Sequence, residues 1–292
     1  MPELPDITVY IEALERHLVG RELLNFELRS PFLLRTVEPD PRQAVGQKLI
    51  SVWRLGKRLC FEFEEGQTWV LHLMIAGRLR LRSDGKIPRQ KAILAGLGFD
   101  KGALILSEAG SRRRASLHVH HSREEAVQHD RGGLEVMDCT WQAFARRLRE
   151  ENHTLKRSLT SPALFSGIGN AYSDEILHHA RLSPFALSGK LSDDEIKQLH
   201  RSCVTILRRF TDELRETCGD GFPDKVTAFL DSMAVHGKFG KPCPDCGAPV
   251  QRIVYASNET NYCAKCQTDG VVLKDRALSR LLKDSWPRTL DD

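Results

Sequence analysis

Residues 243–266 read CPDCGAPVQRIVYASNETNYCAKC: two Cys-x-x-Cys pairs, Cys243/Cys246 and Cys263/Cys266, with sixteen residues between them. Each pair supplies two thiolates from one knuckle, and four sulfur ligands form the closed tetrahedral set of a structural zinc site. The intervening stretch is long enough for a β-hairpin, so this segment predicts a finger on two strands holding one Zn2+. Four protein ligands leave no open coordination position, so the metal is expected to be structural and not catalytic. The other cysteines, Cys60, Cys139, Cys203 and Cys218, lie scattered in apolar or amphipathic surroundings and read as buried, reduced thiols.

Upstream of the finger the apolar period is helical, with segments near 141–151, 161–166, 170–180, 192–217 and 223–230. Within it, Ser166-Gly167-Ile168-Gly169-Asn170-Ala171-Tyr172 places Asn170 as a helix N-cap after two glycines, with Asp174 and Glu175 read into the first turn. A helix start also presents backbone N–H groups to phosphate. Further upstream the pattern is largely β. One helix, Ile7 to Leu18, ends at Gly20, and short strands follow at Leu23–Leu28, Lys48–Leu55, Arg58–Phe63, Trp69–Leu73, Gly77–Arg82 and Ala103–Ser107. The division expected is a β-rich domain (1–130), a helical domain (131–235), the finger (236–272) and an amphipathic helical tail (273–292), an α+β multidomain chain.

Charge and composition narrow the partners. The 292 residues carry 43 basic and 39 acidic side chains, a mild excess that allows a nucleic-acid partner without demanding one. Two local concentrations point that way. Gly77-Arg78-Leu79-Arg80-Leu81-Arg82 alternates arginines on one strand face, either a solvated face or a groove that tracks phosphates. Arg112-Arg113-Arg114 precedes His118, His120 and His121. There is no apolar run of the length that spans a bilayer and no secretory pattern at the N-terminus, so a cytoplasmic protein with no membrane partner is expected.

The chain opens Met1-Pro2-Glu3-Leu4-Pro5-Asp6. Methionine before a small residue is normally trimmed, which leaves Pro2 with a free secondary amine. An α-amino group titrates at about 7.7–8 and is a usable nucleophile near neutrality. Condensed with an aldehyde carbon, a secondary amine gives a cationic iminium that serves as an electron sink, and Glu3 stands beside it to move protons.

Taken in order, these motifs resemble the formamidopyrimidine-DNA glycosylase/endonuclease VIII (Fpg/Nei) family of base-excision repair enzymes, with this chain a divergent member. The resemblance rests on Pro2-Glu3-Leu4-Pro5, Gly56-Lys57, His72-Leu73 leading to Ala76-Gly77, Gly167-Ile168-Gly169-Asn170-Ala171-Tyr172 with Asp174-Glu175, and the four-cysteine finger ending in Gln267. It implies an N-terminal β-sandwich, a helix–two-turn–helix domain and a zinc finger. The implied function is that of a bifunctional DNA glycosylase and abasic-site lyase, in which Pro2 attacks C1′ of a flipped nucleotide through a Schiff base. It further implies Glu3, Lys57 and Asp6 in the catalytic group. The implied DNA contacts are His72, Ile75, Met74, Arg113, Arg114, Asn170, Lys156, Asn258 and Arg252. The expected partner is double-stranded DNA with a damaged base or abasic site, bound by a monomer associated with the nucleoid only through that DNA.

The sequence also departs from the family pattern. Asp6 stands where Glu is usual, and Ile75 (with Met74 beside it) where a Met wedge is usual. The loop Ser111-Arg112-Arg113-Arg114-Ala115-Ser116 has no aromatic, and Asn258 replaces a finger Arg that only Arg252 or Lys265 could replace. The lesion preference is therefore expected to differ from standard 8-oxoguanine. A DNA-binding protein that recognises damage without cutting would carry the same finger and helical domain. Pro2, Glu3 and Lys57 together are what separate it from an enzyme.

Overall fold

The first helix begins earlier than its apolar period. α1 runs Leu4–Leu18, because Pro5 occupies its first turn, where a backbone N–H would have no partner within the helix. Glu3 is its N-cap residue, and the Glu3 N–H donates to Asp6 Oδ2 at 2.8 Å. This computed structural model describes residues 1–110, 112–223, 226–227, 229–255, 258–275 and 288–290, except the side chains of Tyr255 and Asn258. They form two compact units, 1–131 with 210–227, and 132–209 with the described residues beyond 228.

In the first unit, α1 leads into β1 (Leu23–Leu28), β2 (Leu49–Leu55), β3 (Arg58–Phe63), β4 (Thr68–His72), β5 (Gly77–Arg82), β6 (Ile93–Phe99), β7 (Gly102–Glu108), β8 (Ser116–His120) and α2 (Arg123–Val127). The strands form two antiparallel four-stranded sheets, ordered β1-β6-β7-β5 and β2-β3-β4-β8. Their inner faces make the β-sandwich core with α1: Ile7, Tyr10 and Leu14 pack among Phe61, Phe63 and Trp69, all buried. Burying each such side chain is worth about 1.5–3 kcal/mol, so the helix is fixed by its apolar face and not by propensity.

Two of these strands have no counterpart in the sequence pattern. β6 reads ILAGLGF, and its glycines weaken the β signal. A Cβ on Gly96 would lie 2.6 Å from Ile87 Cγ2, so close packing against Ile87 requires glycine there. β8 was masked by its histidines. Leu117 and Val119 point inward, while His118 and His120 alternate outward into a cluster with His129, whose Nε2 lies 2.9 Å from His120 Nε2. Burial lowers the pKa of all three, His129 to about 4. They are neutral at physiological pH, so this segment is less basic than its composition suggests.

The second unit holds α3 (Trp141–Arg149), α4 (Leu155–Thr160), α5 (Asn170–His179) and the start of α6 (Asp193–Cys218). No helix covers 161–166. The N–H groups of Leu164 and Phe165 both turn back to the Ser161 carbonyl, and those two apolar residues are buried in a turn that mimics helical spacing. The described residues within 223–230 form no helix either, and Val226 is buried in the first unit's core while Phe229 is exposed. From Phe210 onward α6 belongs to the first unit, where Arg215 pairs with Glu12 at 2.6 Å.

The finger follows as β9 (Gln251–Tyr255), β10 (Asn258–Tyr262) and α7 (Ala264–Gln267), the strands pairing as the predicted antiparallel hairpin. Residues 276–287 of the expected helical tail lie outside the described residues. Among the described residues, no helix is long and apolar enough to cross a membrane.

Candidate active site and zinc centre

In the first unit the head of α1 gathers the chemistry. Pro2, Glu3 and Asp6 are all buried. The amino terminus is close enough to Glu3, Asp6, Arg78 and Lys57 to interact electrostatically with each. Burial lowers its pKa from the ordinary 8.0. The two acids oppose that shift and the two cations reinforce it. A lowered pKa enlarges the neutral, nucleophilic fraction of the amine at pH 7. His72, at the end of β4, belongs to the same neighbourhood. Burial and the nearby Arg58 and Lys57 push it down to about 4, so it can offer a neutral N–H but not a charge.

Asp6 is the most perturbed acid of this group. Burial raises its pKa to about 7, against the lowering effect of the Glu3 N–H. Its Oδ1 is buried without a hydrogen-bond partner. Asp6 also lines a cavity of about 280 Å³ whose other walls include Val9, Leu214, Phe222 and Val226. Asp6→Asn is expected to change stability with pH. A carboxyl whose folded pKa lies above its unfolded 3.8 stabilises fully below pH 3.8, and that contribution is lost as pH rises through about 7. The cost above pH 7 is on the order of 4 kcal/mol. Thermal melts should show the Asn variant gaining on the native chain between pH 5 and pH 8, and a gap that stays constant with pH would refute the shift.

The loop from Leu73 to Gly77 projects a single apolar tip. Gly77 N–H donates to the Leu73 carbonyl at 2.9 Å, and a Cβ on Gly77 would lie 2.2 Å from that oxygen, so only glycine closes the turn. Met74 adopts φ 55°, a left-handed conformation costly for a side-chain-bearing residue, and is half-buried. Ile75 is 57% exposed. The Arg78 guanidinium donates to the carbonyls of Ile75 and Gly77 and so braces the loop from below. Arg78 counted in the sequence only as one of an alternating arginine set. Its bracing role depends on a turn that no local pattern announces. Arg82, of the same set, is paired with Asp84 at 2.6 Å, and Arg80 is exposed.

The arginine loop is shaped by a buried acid. Glu108 accepts from the N–H groups of Arg114 and Ala115 at 2.9–3.0 Å, and the Arg113 guanidinium donates to the Lys91 carbonyl. Arg114 and Arg112 are exposed.

In the second unit α5 is the hub. Its N-cap is Gly169, and Asn170 is the first helical residue. The Asn170 side chain is therefore not spent on capping: Nδ2 donates to the Glu259 carbonyl of β10 at 3.0 Å. Asp174 and Glu175 lie beyond the first turn and do more than complement a dipole. Glu175 accepts three N–H bonds, from Ala234, Val235 and His236, at 2.8–2.9 Å. Asp174 receives Lys156 Nζ at 2.6 Å, His236 Nδ1 at 2.8 Å and Asn261 N–H at 3.1 Å. Lys156 also donates to the Asn170 carbonyl, and its side chain is only 12% exposed. Two of its three donors thus hold the helix to the finger.

The four finger sulfurs fit zinc. Cys243, Cys246, Cys263 and Cys266 Sγ atoms all lie within 4.8 Å of one another, with Cys246–Cys263 at 3.4 Å and Cys243–Cys266 at 4.0 Å. A tetrahedron with Zn–S bonds of about 2.3 Å has sulfur–sulfur edges of about 3.8 Å. His178 Nε2 lies 3.3 Å from Cys243 Sγ, an outer contact from α5 to a ligand. Arg252 lies on the exposed hairpin face, stacked 4.2 Å over Phe239 and 3.7 Å from Glu259. Lys265 is exposed, and the Asn258 side chain lies outside the described residues.

A β-sandwich with an amino terminus set among acids and cations, a helical domain and a four-thiolate hairpin finger together define a class of zinc-finger DNA glycosylases. Residues 1–128 match the formamidopyrimidine-DNA glycosylase N-terminal domain, 134–216 its H2TH domain, and 240–268 the zinc finger found in FPG and IleRS. The formamidopyrimidine-DNA glycosylase of Desulforamulus reducens is 31% identical over 281 residues, covering 91% of this chain and 99% of that one. That of Thermus thermophilus is 31% identical over 280 residues, covering 92% and 100%. Among solved structures, Lactococcus lactis Fpg in complex with DNA containing an abasic site superposes with TM-score 0.81 at 26% identity, covering 91% and 99%. The chain belongs to the formamidopyrimidine-DNA glycosylase family.

Proposed function

We propose that this chain is a bifunctional DNA glycosylase and abasic-site lyase whose nucleophile is the Pro2 amine, exposed by removal of Met1. The observation that carries this reading is the burial of Pro2 and Glu3 beside Lys57, Arg78 and Asp6 at the head of α1. In the first step the Pro2 nitrogen bonds to C1′ of a flipped nucleotide, the glycosidic bond breaks, and the base leaves with a proton. Glu3 protonates the sugar ring oxygen as the ring opens, which gives an iminium at C1′. Loss of a C2′ proton expels the 3′ phosphate, a second elimination expels the 5′ phosphate, and water then frees the amine.

Lys57, His72, Asn170 and Arg252 act on phosphate in this reading, and Ile75 is the wedge that fills the vacated stack. Its exposure favours it over the half-buried Met74. Arg114 and Arg113 serve the partner strand, and Lys156 contributes by holding Asn170. The cavity beside Asp6 receives the base. A carboxyl protonated near neutral pH donates a hydrogen bond to a base acceptor, whereas an ionised one only accepts.

Borohydride reduction during incubation with a duplex carrying one abasic site is expected to trap a covalent adduct that peptide mapping places on Pro2. An adduct on a lysine, or none, would overturn the assignment. A panel of single-lesion duplexes addresses base choice: oxidised pyrimidines or formamidopyrimidines should be excised faster than 8-oxoguanine.

A further inference from the structure

The family resemblance leaves the arginine loop without an aromatic, yet an exposed aromatic stands across from it. Phe32 is 78% exposed, a high value for a phenyl ring. It sits in a short 3-10 turn, Pro31–Leu33, that is anchored on both sides. The Arg29 and Ser30 N–H groups donate to the Leu94 carbonyl, Leu33 is buried, and the Arg35 N–H donates to the Leu117 carbonyl. The ring is thus held out on a fixed support. It lines an open groove of about 790 Å³ whose other walls include Lys91, Glu108 and Arg113. Glu108 is buried under two backbone N–H groups, so the groove presents its aromatic face with cations and not with an open acid.

The groove also lies next to the wedge. Gly77, which closes the Ile75 loop, pairs directly with Glu108 in the β5–β7 register. An exposed ring beside fixed cations is the arrangement that stacks an unpaired base while holding its phosphate. Flipping the damaged nucleotide leaves its partner base unpaired, next to where Ile75 enters.

We infer that Phe32 supplies the aromatic platform for the base opposite the lesion, with Arg113 and Lys91 steering that strand's phosphates into the groove. This rests on the glycosylase reading above, and the experiment separates the two. A duplex with 2-aminopurine opposite a tetrahydrofuran abasic analogue is titrated with native protein, Phe32→Ala and Phe32→Trp, following the aminopurine emission. Each protein is also trapped by borohydride on a single strand with an abasic site, where no opposite base exists. Native protein and Phe32→Trp should quench the aminopurine, while Phe32→Ala should lose the quench and bind the duplex about tenfold or more weakly. Trapping on the single strand should stay within twofold for all three. Equal quenching by Phe32→Ala overturns the inference. So does an equal loss of single-strand trapping, since Phe32 would then be structural. Failure of all three proteins, native included, to trap would instead count against the glycosylase reading itself.

Discussion

Glu3→Gln is expected to slow excision of a damaged base by about 10²–10⁴-fold, the range set by losing a positioned proton donor. The same variant should still form the borohydride-trapped adduct on a preformed abasic site to within about tenfold. The difference is chemical. Excision must protonate a sugar oxygen and let a base depart, whereas an abasic site already presents some open-chain aldehyde to the amine. Gln keeps the shape of Glu3 and its place at the start of α1, so the fold of the helix is preserved. Single-turnover rates on the two substrates provide the measurement. Parallel losses on both, or no loss on the damaged base, would remove Glu3 from the catalytic role.

Zinc removal should have the largest structural effect. Thiolate sites of this kind hold zinc with apparent free energies of about 10–16 kcal/mol, far more than a hairpin of two five-residue strands can supply. Cys263→Ser is expected to abolish zinc retention and expose the β9–β10 amides to hydrogen exchange. The loss should travel into α5, because Asp174 accepts from Asn261 N–H and Asn170 Nδ2 donates to the Glu259 carbonyl. The sandwich strands should keep their protection. Native-state exchange with metal analysis would decide it, and a Cys263→Ser protein with full zinc and a protected hairpin would show that the finger does not depend on the metal.

The pattern of successes and corrections has a physical logic. The helix α1, the strands Leu23–Leu28, Arg58–Phe63 and Gly77–Arg82, and the finger hairpin were readable because each depends on a local period or fixed spacing. β6 was not, because glycine there is required by Ile87, a neighbour across the fold. The turn at 161–166 copied helical spacing because two buried side chains happen to lie side by side. Asn170 was placed one position early, as a cap, since two glycines precede it and only the observed backbone shows Gly169 in that role. Its actual partner, the Glu259 carbonyl, is 89 residues away in sequence and has no local signature.

The sequence by itself determined the metal, the nucleophile and the family. Cysteine spacing, an amine at Pro2 and a carboxylate beside it are properties of covalent order, which folding does not alter. The tertiary structure alone decided which groups are charged and which are reachable. It leaves the Asp6 carboxyl half-protonated near pH 7, makes His72 and the His118–His120–His129 cluster neutral, and spends Lys156 on Asp174. It also turns Ile75 and Phe32 outward. Those outcomes depend on desolvation and on neighbours distant in the chain, and both arise only once the chain has folded.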